Sequence, residues 1–471
     1  MLWACIYLPH MGIDSVLRRH PTPDAPLVIV AGPAQRRALI AVNHSAAAAG
    51  LRPGQRLAAA HALLAQFNIA EHDAQAVERW QSFLAAWAYR YSSQVWAGWP
   101  NCLVLEVQGS FSIMGAWPCF EARLREDLTA LGFRHRIALA PTPRAARVLA
   151  GVQDGLAVAH PDHLRSTLGR VPVRRACLPD DAGDRLHKMG VRHLRQLFEL
   201  PRDALRRRFG HDLLMHLDCL LGDAPDVLTW FRPPDVFDMR VELNFEVEHH
   251  QGLLFPIRRM TADLAAYLAG RDGGVQQFVF KLEHEHFAPT DLSVGLLSAE
   301  RDPTMLFDLT RSRLEHVSIP APVIGLRLIA SHLPPFVPAG RDLFDERPAQ
   351  AVPWEQLRER LRARLGDAAV YQLAARTDPR PERAWQRDDG SPTGAQLDRP
   401  RRPTWLLKRP IPLRDSNPVV LAGPERLESG WWDGEDARRD YYVLQTTQGQ
   451  HAWAFSAVGE CGPWMLHGWF A

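Results

Sequence analysis

The chain has 471 residues, enough for three or four domains, and its 46% hydrophobic content can furnish real cores. A net charge of only +2 excludes a uniformly basic nucleic-acid binder, so any such surface must be local. Six scattered cysteines without a Cys-x-x-Cys pair argue against zinc and against a disulfide framework, and there is neither a signal-peptide layout nor an apolar run of membrane-spanning length, so a soluble cytoplasmic protein with no membrane contact is expected.

Trp3 to Leu17 is an apolar strand running through a turn into a short helix. Two more apolar pieces follow, Pro26 to Gly32 and Ala38 to Gln55, the latter holding the run Ala46 to Ala49. Leu103 to Gly109 is a strand preceded by Pro100-Asn101-Cys102. Arg136 to Arg147 reads strand, turn, helix, with Arg147 one turn into that helix.

This succession resembles the palm and fingers of the Y-family (UmuC/DinB-like) translesion DNA polymerases. In that family the first strand ends in an Asp-x-Asp turn, and the second carries an Asp-Glu pair before its apolar run. Laying Asp14-Ser15-Val16-Leu17 on the family's Ala-Ser-Val-Glu puts the first turn's aspartates on Leu8 and His10. Laying Glu106-Val107-Gln108-Gly109 on Asp-Val-Thr-Gly puts the Asp-Glu pair on Asn101 and Cys102. The Tyr and Arg that hold the incoming triphosphate fall on His44 and Ala47. Phosphoryl transfer needs two Mg²⁺ ions about 4 Å apart, and Mg²⁺ requires hard oxygen ligands. The resemblance therefore implies a palm without its catalytic carboxylates and no catalytic residues. Asp14 and Glu106 are poorly placed substitutes.

From Pro172 to Asp223 amphipathic helices alternate with glycine turns, and Gly190 separates two of them. This segment resembles the helix-hairpin-helix thumb of the same family. Backbone N–H groups at the Gly190 turn would face phosphates, with Arg192, Arg195 and Arg147, and Arg206 to Arg208, adding sequence-nonspecific attraction. Strand-like runs Val241 to Val247, Val275 to Leu282, Leu292 to Leu297 and Val323 to Ala330, with helical runs Leu254 to Leu268 and Thr304 to Leu314, predict a sheet covered by two helices, similar to the family's little finger. His249-His250 and His284-Glu285-His286 indicate no third ligand by spacing, so no metal site is assigned.

Asp342-Leu343-Phe344 follows a proline-rich exit and resembles the sliding-clamp peptide of bacterial polymerases; Leu306-Phe307 and Gln196-Leu197-Phe198 have the same wording inside predicted helices. Trp354 to Leu365 predicts an amphipathic helix with Leu357, Leu361 and Leu365 on one face. Arg376 to Pro403 lacks apolar periodicity and reads as a disordered linker. The remaining seventy or so residues are crowded with aromatics in strand-like pieces, and such density makes either a β core or a docking surface. Trp431, Trp432, Tyr441, Tyr442, Trp464, His467 and Phe470 are the candidate partner-binding residues.

The wording of that tail, with the altered palm, resembles ImuB proteins, Y-family homologues that have lost the catalytic acids. The implied fold is α+β and multidomain: palm-like 1–22 and 76–170, fingers-like 23–75, thumb 171–235, little finger 236–335, clamp peptide, helix and linker 336–402, and a C-terminal partner-binding domain 403–471. The implied role is a non-catalytic hub in damage-induced (SOS) translesion synthesis and mutagenesis. Its partners would be primer-template or single-stranded DNA, the sliding clamp, an error-prone C-family DNA polymerase and a RecA-like accessory protein (ImuA). No Gly-x₄-Gly-Lys phosphate loop is present, so no cofactor is expected. The alternatives are an active translesion polymerase with a rearranged metal site and a damaged-DNA-binding sensor.

Overall fold

The computed structural model describes residues 1–18, 20, 22–336, 354–366, 368–376, 378–387, 402–415 and 417–470. They form two compact units, Met1–Arg364 and Leu365–Ala471.

In the first unit a five-stranded sheet runs in the order Val95–Trp96, Cys102–Glu106, Trp3–Tyr7, Arg136–Ala140, Leu156–Ala157. Trp3–Tyr7 is central and antiparallel to both neighbours, with Tyr7 opposite Cys102 and Arg136. Both faces of this strand are covered, which is why it reads as one apolar run. Ala4 and Ile6 pack into the core that includes helices Ala74–Ala88 and Trp117–Ala130, whereas Trp3 and Cys5 pack with helix Pro143–Val152 and the helices that follow. Trp80, Phe83, Leu84 and Trp87, at i, i+3, i+4 and i+7, supply the buried stripe of Ala74–Ala88.

A three-stranded sheet, Ala38–Val42, Leu27–Ala31, Asn68–Glu71, stands beside the first helix. Buried Asn43 locks the junction of this sheet with helix His44–Ala48, its side chain accepting from the Leu27 and Ala46 amides and donating to the Ala25 carbonyl.

The expected sheet covered by two helices is found between 237 and 332, in the antiparallel order Thr290–Glu300, Val275–Glu283, Val323–His332, Phe237–Val247. Helices His250–Gly270 and Pro303–Leu314 cover its apolar face, and Leu306 and Phe307 are buried there. This element is anchored to the first sheet's layer at two points. A Cβ at Gly270 would collide with the Ala86 carbonyl, so the helix end approaches as backbone. Arg18, beside the first helix, makes a bidentate pair with Asp263 at 2.6 and 3.0 Å, donates to the Leu131 carbonyl at 2.7 Å, and lies over the rings of Trp80 and Phe133.

Helix Trp354–Leu365 forms as expected, and the face that carries Leu357, Leu361 and Leu365 is exposed, while Glu359 and Ala363 are buried. Apolar spacing defines a stripe without saying whether anything covers it.

The second unit is a five-stranded antiparallel sheet in the order Trp405–Pro412, Met465–Trp469, His451–Ser456, Ala437–Gln445, Val419–Ser429, with a hairpin pairing Leu373–Ala375 and Trp385–Arg387. Residues 378–387, expected to be disordered linker, are instead ordered by charge pairing. Buried Arg380 binds Asp378 and Asp433, and Arg383 reaches Asp433 and Glu435. Asp433 and Glu435 lie some fifty residues away in sequence, beyond the reach of local composition.

Candidate functional site

Between the first sheet and the three-stranded sheet lies a cleft of about 880 Å³. Its lining brings together His10, Asn101, His44 and Ala47, four positions that the sequence reading placed in one lost active site, along with Arg52, His72 and Arg134. The strand ends meet at its floor: the Leu8 amide donates to the Asn101 carbonyl at 2.8 Å. Asn101 adopts a left-handed conformation at φ 55, which Asn tolerates better than most residues. Gln81 holds this turn, donating to the Ala97 and Trp99 carbonyls at 2.7 Å and accepting from the Asn101 amide.

Only the backbones converge. The Leu8 side chain is fully buried in the same core as Ala4 and Ile6, whereas Cys102 belongs with Cys5 to the core on the opposite face of the sheet. A hydrogen bond from Cys5, assisted by the Arg147 cation, holds the Cys102 thiol below its usual range, and burial pushes Cys5 well up. None of the residues lining the cleft is Asp or Glu. The donor set therefore does not fit a pair of Mg²⁺ ions, which need several hard oxygen ligands.

The two nearby acids are engaged elsewhere. Buried Asp14 accepts from the Arg134 amide at 2.9 Å and from its Nε at 2.8 Å. Burial nevertheless outweighs these bonds and raises its carboxyl above the usual range. Glu106 caps the turn after its strand, accepting from the Gln108 and Gly109 amides.

The expected DNA-binding residues fare differently from one another. The Gly190 turn ends helix Ala182–Lys188 with φ +91, and its N–H donates to the His187 carbonyl while that of Val191 donates to Leu186. The Arg192 and His193 amides are taken by Gln196 Oε1. This corrects the reading of Gly190: the turn is a helix C-cap whose N–H groups are spent internally. The N-terminus of the same helix carries Asp181 and Asp184, beside Asp180, which repel an anion. Arg147 is half-buried, stacked on the Trp99 ring at 4.5 Å, and so is not a free surface cation. Arg192, Arg195 and Arg206 to Arg208 are exposed. On the open face of the 237–332 sheet each cation has an acidic neighbour: Arg240 with Glu283, Lys281 with Asp291, Arg327 with Asp238. Of the histidines there, His284 bonds the Pro322 carbonyl and the Thr290 hydroxyl and His250 the Val317 carbonyl, whereas His249 and His286 are exposed.

Asp342, Leu343 and Phe344 lie outside the described residues. In the tail, the reading of Tyr441, Tyr442 and His467 as docking residues is corrected, because all three are buried. Tyr441 stacks on Trp453 at 4.1 Å, and its hydroxyl meets His467 Nδ1 at 2.8 Å. Trp464 and Phe470 are half-buried against the same sheet. Trp431 and Trp432 alone of the seven stay well exposed, at 77% and 59%. They sit on a turn that Arg380 and Arg383 hold through Asp433 and Glu435.

Residues 6–151 match the model of the impB/mucB/samB family. Among curated proteins, Protein ImuB of Caulobacter vibrioides strain NA1000 / CB15N is 28% identical over 459 residues, spanning 89% of this chain and all of that protein, and the same protein of strain ATCC 19089 / CIP 103742 / CB 15 matches equally. Among solved structures, DinB from Sulfolobus solfataricus is 13% identical with a TM-score of 0.41, covering 70% of this chain and 98% of its own, and an insertion ternary complex of Dbh DNA polymerase is 13% identical with a TM-score of 0.41, covering 71% and 99%. The family match lies on the sheet and cleft just described. The likeness to the Caulobacter proteins runs over their full length and 89% of this chain. Among the described residues no helix is long and apolar enough to cross a membrane.

Proposed function

We propose that this chain is a non-catalytic Y-family homologue that serves as an adaptor in damage-induced translesion synthesis. One observation carries the reading: the two strand ends that would present a polymerase's metal ligands meet at Leu8 and Asn101, and no carboxylate lines the cleft above them. The likeness to Protein ImuB supports it. DNA, bound without sequence preference, meets the exposed guanidinium groups of Arg192, Arg195 and Arg206 to Arg208. The sliding clamp takes the Asp342–Phe344 peptide. An error-prone C-family polymerase and a RecA-like accessory protein dock on the tail, with Trp431 and Trp432 as anchors.

The test pairs a primer-extension assay with a pull-down. The purified chain extends no primer in Mg²⁺ or Mn²⁺ yet retains clamp and polymerase, and Leu343→Ala with Phe344→Ala removes the clamp alone. Extension that survives removal of contaminating polymerase overturns the proposal, as does retention of neither partner.

A further inference from the structure

A second groove of the first unit, about 1290 Å³, runs between helix Ala74–Ala88 and strand Phe237–Val247. That strand is the edge of its sheet, paired only with Val323–His332. Among the described residues no backbone hydrogen bond joins it to any other element. Val236 to Leu243 line the groove in unbroken succession, residues of both sheet faces together, because the groove follows the strand's free edge. An edge of this kind is a template for one more strand.

The walls specify what that strand should be. Phe255, on the helix covering the sheet's apolar face, is half-exposed in the groove, and Ile69 and Val236 are exposed beside it. Glu71, Asp73, Glu78, Asp238 and Glu242 stand against Arg79 and Arg240. Arg79 is paired with Asp73, and Arg240 with Glu283 at 2.7 Å and Glu242 at 4.0 Å, while Arg37 and Arg327 neutralise Glu71 and Asp238. Six carboxylates against four guanidinium groups leave a negative surplus, carried by Glu78 and by Glu242 and Glu283, which share the single Arg240 cation. Phosphates are repelled from such a surface, and basic side chains are drawn to it.

We propose that the free edge of Phe237–Val247 binds an extended segment of a protein partner in which apolar and basic residues alternate, added as a fifth strand. Its amides pair with the edge, its apolar side chains extend the covered face over Phe255, and its basic side chains lie beside Glu242 and Glu78. The surface is separate from the clamp peptide and the tail, and its test does not depend on the adaptor reading.

The probe is a labelled, end-capped octapeptide of alternating valine and arginine, added to the full chain and followed by fluorescence anisotropy and amide hydrogen exchange. Binding should slow exchange across 237–247. Methylating the peptide nitrogens on the pairing edge, which keeps charge and shape, should weaken it at least about ten-fold, and Glu78→Lys with Glu242→Lys on the protein should do the same. These two side chains are exposed, so the variant should fold. Equal affinity for the methylated peptide, or no protection of 237–247, overturns the proposal. So does displacement of the peptide by a dT16 oligonucleotide that itself protects the strand, since the groove would then be a nucleic-acid track.

Discussion

The Leu8 amide and the Asn101 carbonyl, 93 residues apart in sequence, close a 2.8 Å hydrogen bond at the floor of the cleft, while the side chain of Leu8 turns into the core. The two strand ends thus meet through backbone alone.

That geometry predicts the cost of putting a ligand back. Leu8→Asp buries a carboxylate among apolar neighbours and should lower stability by about 3–5 kcal/mol, read by urea unfolding. Combined with Asn101→Asp and Cys102→Glu it should yield no primer extension, because Cys102 faces away from Leu8 and His44 and Ala47 leave a triphosphate unheld. Near wild-type stability of Leu8→Asp would mean that this side chain can turn into the cleft.

A second prediction concerns Arg18 and Asp263, both buried. Asp263→Ala strands a guanidinium in the core and should cost about 3–5 kcal/mol, whereas replacing the pair together with Met and Leu should recover most of it. A loss under about 1 kcal/mol in the single variant would show that water reaches the pair.

Titration of His216 gives a third. Burial, reinforced by Arg144, pushes its pKa down to about 4. Above the unfolded value near 6.5 the ring is neutral in both states and contributes no pH dependence. As pH falls from there towards 4, the unfolded chain takes up a proton that the folded chain refuses. Stability should drop across that window by roughly 3 kcal/mol. His216→Gln should flatten this part of the profile relative to the native chain; identical slopes would place the ring in solvent.

Elements whose signal is local were legible. Period-two runs from Val241 to Ala330 foretold the four-strand sheet, and the interspersed helical runs its cover. The likeness of Leu8, His10, Asn101, His44 and Ala47 to family positions anticipated most of one cleft, although not that Leu8 and Cys102 would face opposite cores. Pairings across long separations left no trace in periodicity: Arg18 with Asp263, Asp14 with Arg134, Arg380 with Asp433. The Gly190 turn was found, but a glycine turn shows only that the backbone bends there, and the use of its N–H groups depends on carbonyls that the bend brings near.

The tail supplies the last prediction, because an aromatic side chain suits a core as well as an interface, and the structure separates the two uses. Tyr441 is enclosed by Trp453, Phe455 and His467, with its hydroxyl bonded to His467 and Arg439. Tyr441→Ala should therefore unfold the second unit, at a cost of about 3–5 kcal/mol. Trp431 and Trp432 are held outward on a turn whose geometry comes from Arg380, Asp433 and Gly430, where a Cβ would meet the Glu435 carbonyl and the Arg380 guanidinium. Replacing both tryptophans with Ala should shift stability by no more than about 0.5 kcal/mol, yet remove at least about 2 kcal/mol of binding to whatever docks there, a loss of about thirty-fold or more. Arg380→Ala should act between these extremes, loosening the turn and weakening the same binding without touching either ring. Calorimetry of the three variants, set beside a pull-down of the C-family polymerase and the RecA-like protein, decides the matter. Undiminished capture by the double tryptophan variant, with its melting transition intact, would move the docking surface off this turn.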